Sequence, residues 1–412
     1  LKNPPTALLV ATLDTKGQEA LFLAACLKQQ NIIVKILDAG IKGKSPVAAD
    51  IAREEIAMAG GRALKEVQNI GHEGKALQVM TEGAIKCAQK LHRQGKIHGI
   101  IGLGGSMGTT LGTGVMRALP IGFPKLMIST MASRDTRAFV GTKDILMLHS
   151  VCDLSGLNRI TRSILTNGAG ALAGMLHSQV KLDEMSNKPL IFLTTLGTTE
   201  ACAQSVRKAL EEKGNEIVIY HTVGSGGAAM EEMIEEEAVT AVIDLSLHEI
   251  ADHLFGGDYD AGPSRGSVAL AKRIPTILVP GNMDFLVSGS LDTAKRQFPN
   301  RKYHRHNAAI TTVRTELHEL KEMAAILADR CNAASGPLVI LIPKGGFSAF
   351  DRPGGPFHEP RAPKIFTQTI KKKLKAGIPL HILPFHINDP EFALAIIDAF
   401  ELLVKKKAEA QS

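Results

Sequence analysis

The sequence predicts an α/β protein made of two Rossmann-like parallel-sheet domains with a cleft between them. Apolar runs of strand length alternate with amphipathic helical stretches almost from end to end, the pattern of repeated βαβ units. At 412 residues the chain exceeds the size at which one core usually stops growing. Its opening also restarts near the middle. "TALLVATLDTKGQEALFLAACLKQQNIIVKILDAG" and "PLIFLTTLGTTEACAQSVRKALEEKGNEIVIYHTVGSGG" both hold an apolar strand ending in Thr-Leu (Thr12-Leu13, Thr195-Leu196), a Thr/Gly turn, Glu-Ala, a helix and a second strand ending near glycine. The stretch before the restart, "KLDEMSNKP", is polar, closes on Pro189 and reads as a linker. Domains are therefore expected at 1–182 and 189–412.

In the first half, Ala7–Leu13 reads as a strand, Gly17–Gln29 as a helix and Ile32–Gly40 as a second strand. Gly74–Gln94 is amphipathic at helical spacing and leads into the apolar "IHGIIGLGG". A helix near Thr109–Ala118, strands at Pro124–Thr130 and Asp144–Ser150, and a helix from Asn158 follow. In the second half, strands are expected at Glu216–His221, Ala238–Ser246, Pro275–Pro280, Pro337–Gly346 and Ile378–His386, and a last helix at Pro390–Lys405. Thr15 and Thr198 stand where a hydroxyl can cap the first helix of each half.

Composition narrows the function classes. Hydrophobic residues make up 44% and charged residues 22%, an ordinary globular balance. With no Trp and three Tyr, a stacking platform for single-stranded nucleic acid is disfavoured. Much of the net charge of +7 lies in "KKKLK" (Lys371–Lys375) and "KKK" (Lys405–Lys407), whose helix-like contexts read as solvated faces. Cys26, Cys87, Cys152, Cys202 and Cys331 are far apart with no C-x-x-C spacing, so neither a zinc ribbon nor a disulfide framework is expected, and the compartment is a reducing one. No apolar run has the length of a membrane span and no signal peptide is visible, so a soluble cytoplasmic protein is expected.

The stretch "HGIIGLGGSMGTTLGTG", His98–Gly114, carries the main chemical signal. A strand ends in Gly104 and Gly105, and small hydroxylated residues open a helix. Missing Cβ atoms bare the backbone amides, and the helix N-terminus adds free N–H donors and partial positive charge, together an anion site. The competing reading is a close-packed strand-to-helix turn that binds nothing. The motif is no P-loop, since no Lys follows the glycines, and no G-x-G-x-x-G, since Met107 takes the third glycine's place. A second cluster, "TVGSGGAAMEEMI", puts Gly224, Gly226 and Gly227 at the start of another helix.

Four further segments carry reactive side chains. "STMASRDTRAFVGTKDI" holds Ser129, Thr130, Arg134 and Arg137, either an arginine grip for phosphate or a polar surface loop. "DLSLHEIADHLFGGDYDAGPSR" collects Asp244, His248, Glu249, Asp252, His253 and Arg265. Its two histidines are five apart, off the i, i+4 spacing of a metal-binding helix. "RKYHRHN" contains His304 and His306, with Arg314 downstream. "PKGGFSAFDRPGGPFHEP" is too rich in Gly and Pro to be regular, and it offers Asp351 and His358 as functional loop residues or as parts of a rigid flap.

"GLGGSMGTTL", "PKLMISTMAS", "VGTKDI", "HSVCDLSGLN" and "TNGAGALAGM", with "ATLDTKGQE" and "GGFSAFDRPGGPF", resemble the family of the ATP-binding inhibitor domain of the tomato mosaic virus resistance protein, which includes many microbial members. The resemblance implies two Rossmann-like subdomains, ATP in glycine-rich clefts and a homodimer. On that basis Gly104, Gly105, Ser106, Gly108, Thr109 and Thr130 are expected to hold phosphates. Gly224, Gly226 and Gly227 are expected as a second contact set, and Thr12, Asp14 and Lys16 line the same cleft. Magnesium is expected to accompany ATP. Two alternatives stand beside this one. The first is an enzyme acting on a small phosphorylated or carboxylated metabolite through His248, His253, Arg265, His304 and His306. The second is a non-catalytic, nucleotide-responsive regulator that binds a protein partner.

Overall fold

Strands buried on both faces need apolar side chains at every position, and the first strand, β1 (Thr6–Ala11), is buried throughout. Leu8 and Val10 face one core while Ala7, Leu9 and Ala11 face the other. A computed structural model describes residues 4–43, 45, 47–178 and 188–411. It divides into two compact units, Leu1–Met185 and Ser186–Ser412. Residues 181–187 of the expected linker lie outside the described residues.

The first unit continues with α1 (Leu13–Gln29), β2 (Ile33–Asp38), α2 (Arg53–Ala59), α3 (Leu64–Gln68), α4 (Glu73–Arg93), β3 (Gly99–Gly104), α5 (Ser106–Arg117), β4 (Lys125–Ser129), α6 (Arg137–Val140), β5 (Leu146–His149) and α7 (Arg159–His177). Its five strands are all parallel in the order β2-β1-β3-β4-β5. Residues of α2, α4 and α5 fill the core on one face, and those of α1 and α7 the core on the other. Strand order reverses between β1 and β3, and the loops leaving their carboxyl ends diverge there.

The second unit comprises β6 (Leu190–Thr195), α8 (Glu200–Glu212), β7 (Glu216–His221), α9 (Ser225–Glu236), β8 (Ala241–Ser246), α10 (His248–Phe255), α11 (Val268–Ala271), β9 (Thr276–Gly281), β10 (Phe285–Ser288), α12 (Leu291–Gln297), β11 (Tyr303–Arg305), β12 (Thr311–Arg314), α13 (Leu317–Ala333), β13 (Leu338–Pro343), α14 (Arg361–Lys373), β14 (Leu380–Leu383) and α15 (Pro390–Gln411). Six strands form a parallel sheet, β14-β13-β9-β8-β6-β7. The repeated sequence opening is thus a repeated fold: β1 and β6 both sit inside their sheets, with the strand that follows at the edge. A three-stranded antiparallel sheet, β10-β12-β11, was not expected from the sequence.

Helix starts differ from expectation. The α1 helix begins at Leu13 rather than Gly17, and Lys16 leaves helical geometry inside it (φ −125°, ψ 23°). Thr15 therefore lies within the first turn, its hydroxyl 2.9 Å from that of Thr12, and no side chain caps α1. Thr198 donates to Asn282 Oδ1 at 2.6 Å instead of capping α8. The α5 helix begins at Ser106, three residues before the expected start. All five cysteines are free.

Candidate functional site

At the switch point of the first unit, the loops after β1 and β3 enclose a cavity of about 690 Å³. That volume falls within the range of small-molecule sites. Thr12, Asp14, Lys16, Gly104, Gly105, Ser106 and Gly108 all line it. Three helices start at its wall: α1 after Thr12, α5 after Gly105 and α4 after His72.

The α5 start is left open by the protein itself. Gly105 is the N-cap and offers no side-chain acceptor, and the first turn carries no acidic residue. The N–H groups of Ser106, Met107 and Gly108 have no intrahelical acceptor, and the dipole adds positive charge there. The glycines divide between the two readings of this loop. A Cβ on Gly104 would stand 2.8 Å from Gly108 Cα, so Gly104 is needed for the strand end to touch the helix. Around Gly105 the nearest atom to such a Cβ is Thr130 Oγ1 at 3.9 Å, so packing does not demand glycine there.

Two expected phosphate ligands are corrected. The Thr109 hydroxyl is fully buried and spent internally, 2.6 Å from Ser129 Oγ and donating to Gly105 O at 2.7 Å. It ties the ends of β3 and β4 together. Thr130 lies behind Gly105, its N–H donating to Gly104 O at 3.3 Å, and is not part of the cavity lining.

On the floor, Asp14 Oδ2 accepts from the amides of Ile41, Lys42 and Gly43 at 3.1, 3.0 and 3.3 Å. Beside it, Asp38 Oδ1 accepts from Leu13 N at 3.1 Å and Gly40 N at 2.8 Å. Burial pushes the Asp38 carboxyl above the usual range, those two amides pull it back, and the Asp14 charge pushes it up again. Lys16 is among the lining residues, and its ammonium donates to Leu154 O. Ile41, Val67, Ala76 and Leu77 supply an apolar wall, and Lys42 pairs with Glu73 at the exposed rim. Sequence reasoning missed Lys42, Gln68, His72 and Glu73. One signal was available: "GHEGKAL" opens an amphipathic run with a capping residue, and His72 Nδ1 does accept from Lys75 N at 3.4 Å.

The second glycine cluster is overturned as a phosphate contact. Two of its amides are occupied by Glu249, whose Oε1 accepts from Gly224 N at 2.7 Å and Gly227 N at 3.1 Å. A Cβ on Gly227 would collide with the Glu249 carboxylate and the Arg265 guanidinium, and one on Gly226 with His221 O. Here the close-packed turn prevails. The switch point between β6 and β8 is likewise bridged by Asn282, which bonds to Thr198, Thr199 and Ser246.

Among the residues offered for metabolite chemistry, His248 and His304 both pack on the aromatic cluster of Phe285 and Phe350. His248 is fully buried, with Nε2 3.1 Å from Thr222 O, and burial pushes its imidazolium down to about 3. It is neutral at physiological pH, and its ring has no exposed surface. His253 pairs with Asp260 at 2.9 Å, and His304 packs on Phe350 with ring centroids 4.7 Å apart. His306 is exposed. Arg265 is buried among carboxylates, and Arg314 donates to the carbonyls of Phe357 and Asp284, both at 2.8 Å. Arg137 pairs with Asp135 at 2.7 Å on the surface.

The Gly/Pro segment is a packed flap. Phe347 and Phe357 are fully buried, and Asp351 accepts from Phe347 N at 3.3 Å and Glu359 N at 3.1 Å. Burial first, and then the Asp284 charge, push the Asp351 carboxyl up to about 7. The folded value exceeds the unfolded one of 3.8, so between these values the folded chain holds more protons. The contribution to stability is complete below the unfolded value and is lost as pH rises through the folded one. Urea unfolding of Asp351→Asn is expected to show a flatter fall in stability from pH 5 to pH 8 than the parent chain.

Fold and cavity together define a doubly wound α/β protein with a ligand-sized opening at the first of its two switch points. Residues 5–181 match the "Uncharacterised protein family (UPF0261) N-terminal domain" and residues 188–404 its C-terminal domain. The chain belongs to the UPF0261 family. It is 35% identical to a UPF0261 protein of Clostridium tetani, over 94% of this chain and 96% of that one. It is 33% identical to a UPF0261 protein of Rhizobium meliloti, over 95% and 97%. The ToMV resistance protein Tm-1(GCR237) of Solanum lycopersicum is 31% identical over 97% of this chain, which spans 56% of that longer protein. Among solved structures, Acinetobacter baumannii MurG aligns with 68% of this chain and 80% of its own at 14% identity and a TM-score of 0.20, too low to carry an argument. Among the described residues, no helix is long and apolar enough to cross a membrane.

Proposed function

We propose that the first unit binds ATP, with its phosphates on the uncapped N-terminus of α5 and its base against the apolar wall of Ile41, Val67, Ala76 and Leu77. One observation carries this reading. Of two glycine-rich strand-to-helix loops, the one at Gly224–Gly227 is filled by the protein's own Glu249, while the one at Gly104–Gly108 opens on the cavity with no acid of its own. Amides left free at a helix start favour phosphate, and Lys16 adds a cation on the same wall. No side chain is assigned a bond-making role. The chain is taken as a homodimer that binds nucleotide, in the cytoplasm.

Calorimetric titration with ATP, ADP, AMP and adenosine tests the reading. Affinity is expected to fall as phosphates are removed, with adenosine at least about a hundredfold weaker than ATP, or some 2.8 kcal/mol. Equal affinity for ATP and adenosine, or no saturable heat with ATP, would overturn it. Light scattering on the same samples checks the dimer.

A further inference from the structure

We infer that Gln68 selects the base in this cavity, its side-chain oxygen accepting from the exocyclic amino group of adenine. The inference rests on the nucleotide reading and adds which base is favoured and which side chain chooses it.

The orientation of the Gln68 amide is dictated by its neighbour. Nε2 donates to Ile41 O at 2.7 Å. A backbone carbonyl can only accept, so the nitrogen stands on that side and Oε1 on the other. Among the described residues, Oε1 has no hydrogen-bond partner. Ile41 is in turn held by its own N–H, which donates to Asp14 Oδ2 at 3.1 Å. The amide is thus pinned before a ligand arrives. Gln68 is exposed, and it lines the cavity together with Ile41 and Val67 of the apolar wall. At the rim, Lys42 and Glu73 are taken up by one another.

A glutamine free to turn over serves a donor and an acceptor equally, because its two ends have almost the same shape. A pinned one discriminates. Adenine carries an amino group, a donor, where guanine and hypoxanthine carry a carbonyl, an acceptor. With the base laid on the apolar wall, Oε1 meets the first with a hydrogen bond and the second with opposed lone pairs. A site built to hydrogen-bond one group rejects the analogue that lacks it, since its own polar atom is then left without a partner. Gln68 is open to water, so the expected discrimination is about tenfold, well below that of a sealed site.

Inosine triphosphate replaces that amino group by a carbonyl and keeps the sugar and the phosphates. Calorimetric titration of the parent chain and of Gln68→Met with both nucleotides tests the inference. The substitution keeps the length of the side chain and removes the amide. It leaves the core untouched, because Gln68 is exposed, and thermal unfolding checks that. The parent is expected to bind ATP at least about tenfold more tightly than inosine triphosphate, and Gln68→Met to bind the two within about threefold of each other. Equal binding of the two by the parent overturns the inference and leaves the nucleotide reading standing. A variant that keeps the parent's preference also overturns it, whatever its loss of affinity, since Gln68 would then only brace Ile41. Loss of both nucleotides by the variant has the same meaning. If the parent binds neither nucleotide, both readings fall.

Discussion

Arg265→Met is expected to lower the unfolding free energy by about 3–5 kcal/mol, the usual cost of stripping one partner from a buried ion cluster. Arg265 has no exposed surface. Its guanidinium meets Asp244 at 2.5 and 2.7 Å, Glu249 at 2.6 Å and Glu231 at 3.5 Å. Removing it leaves three carboxylates facing one another out of water. Burial already pushes Glu231 and Glu249 above the usual carboxylate range, and the arginine's charge opposes that push. Without it that push is unopposed, and proton uptake at lower pH relieves the repulsion, so the deficit is expected to shrink from pH 8 to pH 5. Guanidinium chloride unfolding at both pH values checks this. A variant as stable as the parent at pH 8 would mean that the cluster carries little of the second unit's stability.

The second large effect concerns the ligand. Ser106→Asp places a carboxylate in the first turn of α5, where Ser106 is exposed on the cavity wall. A negative side chain at a helix start gains about 0.3–1 kcal/mol from the dipole, so thermal stability is expected to hold or rise. The same charge occupies the amides offered to phosphate and repels it. ATP affinity is expected to fall at least about a hundredfold, or some 2.8 kcal/mol. Ser106→Ala, which only removes a hydroxyl, is expected to cost no more than about tenfold. Calorimetry and thermal unfolding on the same preparations test both changes. Unaltered ATP binding in a folded Ser106→Asp chain would take the phosphates away from this loop.

Much of the fold was legible because its strands are local objects. β1, β3, β8 and β13 are apolar runs with turn residues on either side, and burial on both faces makes them stand out. The ribbon of β10, β11 and β12 was not legible. Its strands are three or four residues long, and its register, Tyr303 against Val313 and Phe285 against Arg314, joins residues whose local patterns say little. The candidate site was legible to the extent that backbone signals shaped it. Gly104, Gly105 and Ser106 follow an apolar run, and Thr12, Asp14 and Lys16 follow another. Nothing near Gly224–Gly227 distinguishes it from the first loop. The difference is Glu249, which lies 22 residues beyond Gly227 and is delivered by α10 after the next strand. Lys42 and Glu73 were out of reach for a similar reason, because only the folded path from β2 to α4 brings them to one rim.

The carboxylate seated under Gly224 and Gly227 bears on stoichiometry. Two halves with one strand order suggest two ports per polypeptide, yet one has its counter-ion grafted into the covalent chain, at a local concentration no dissolved anion can rival. Saturation should therefore come at a single equivalent of nucleotide per polypeptide, and the half holding Glu249 is free to diverge as scaffold.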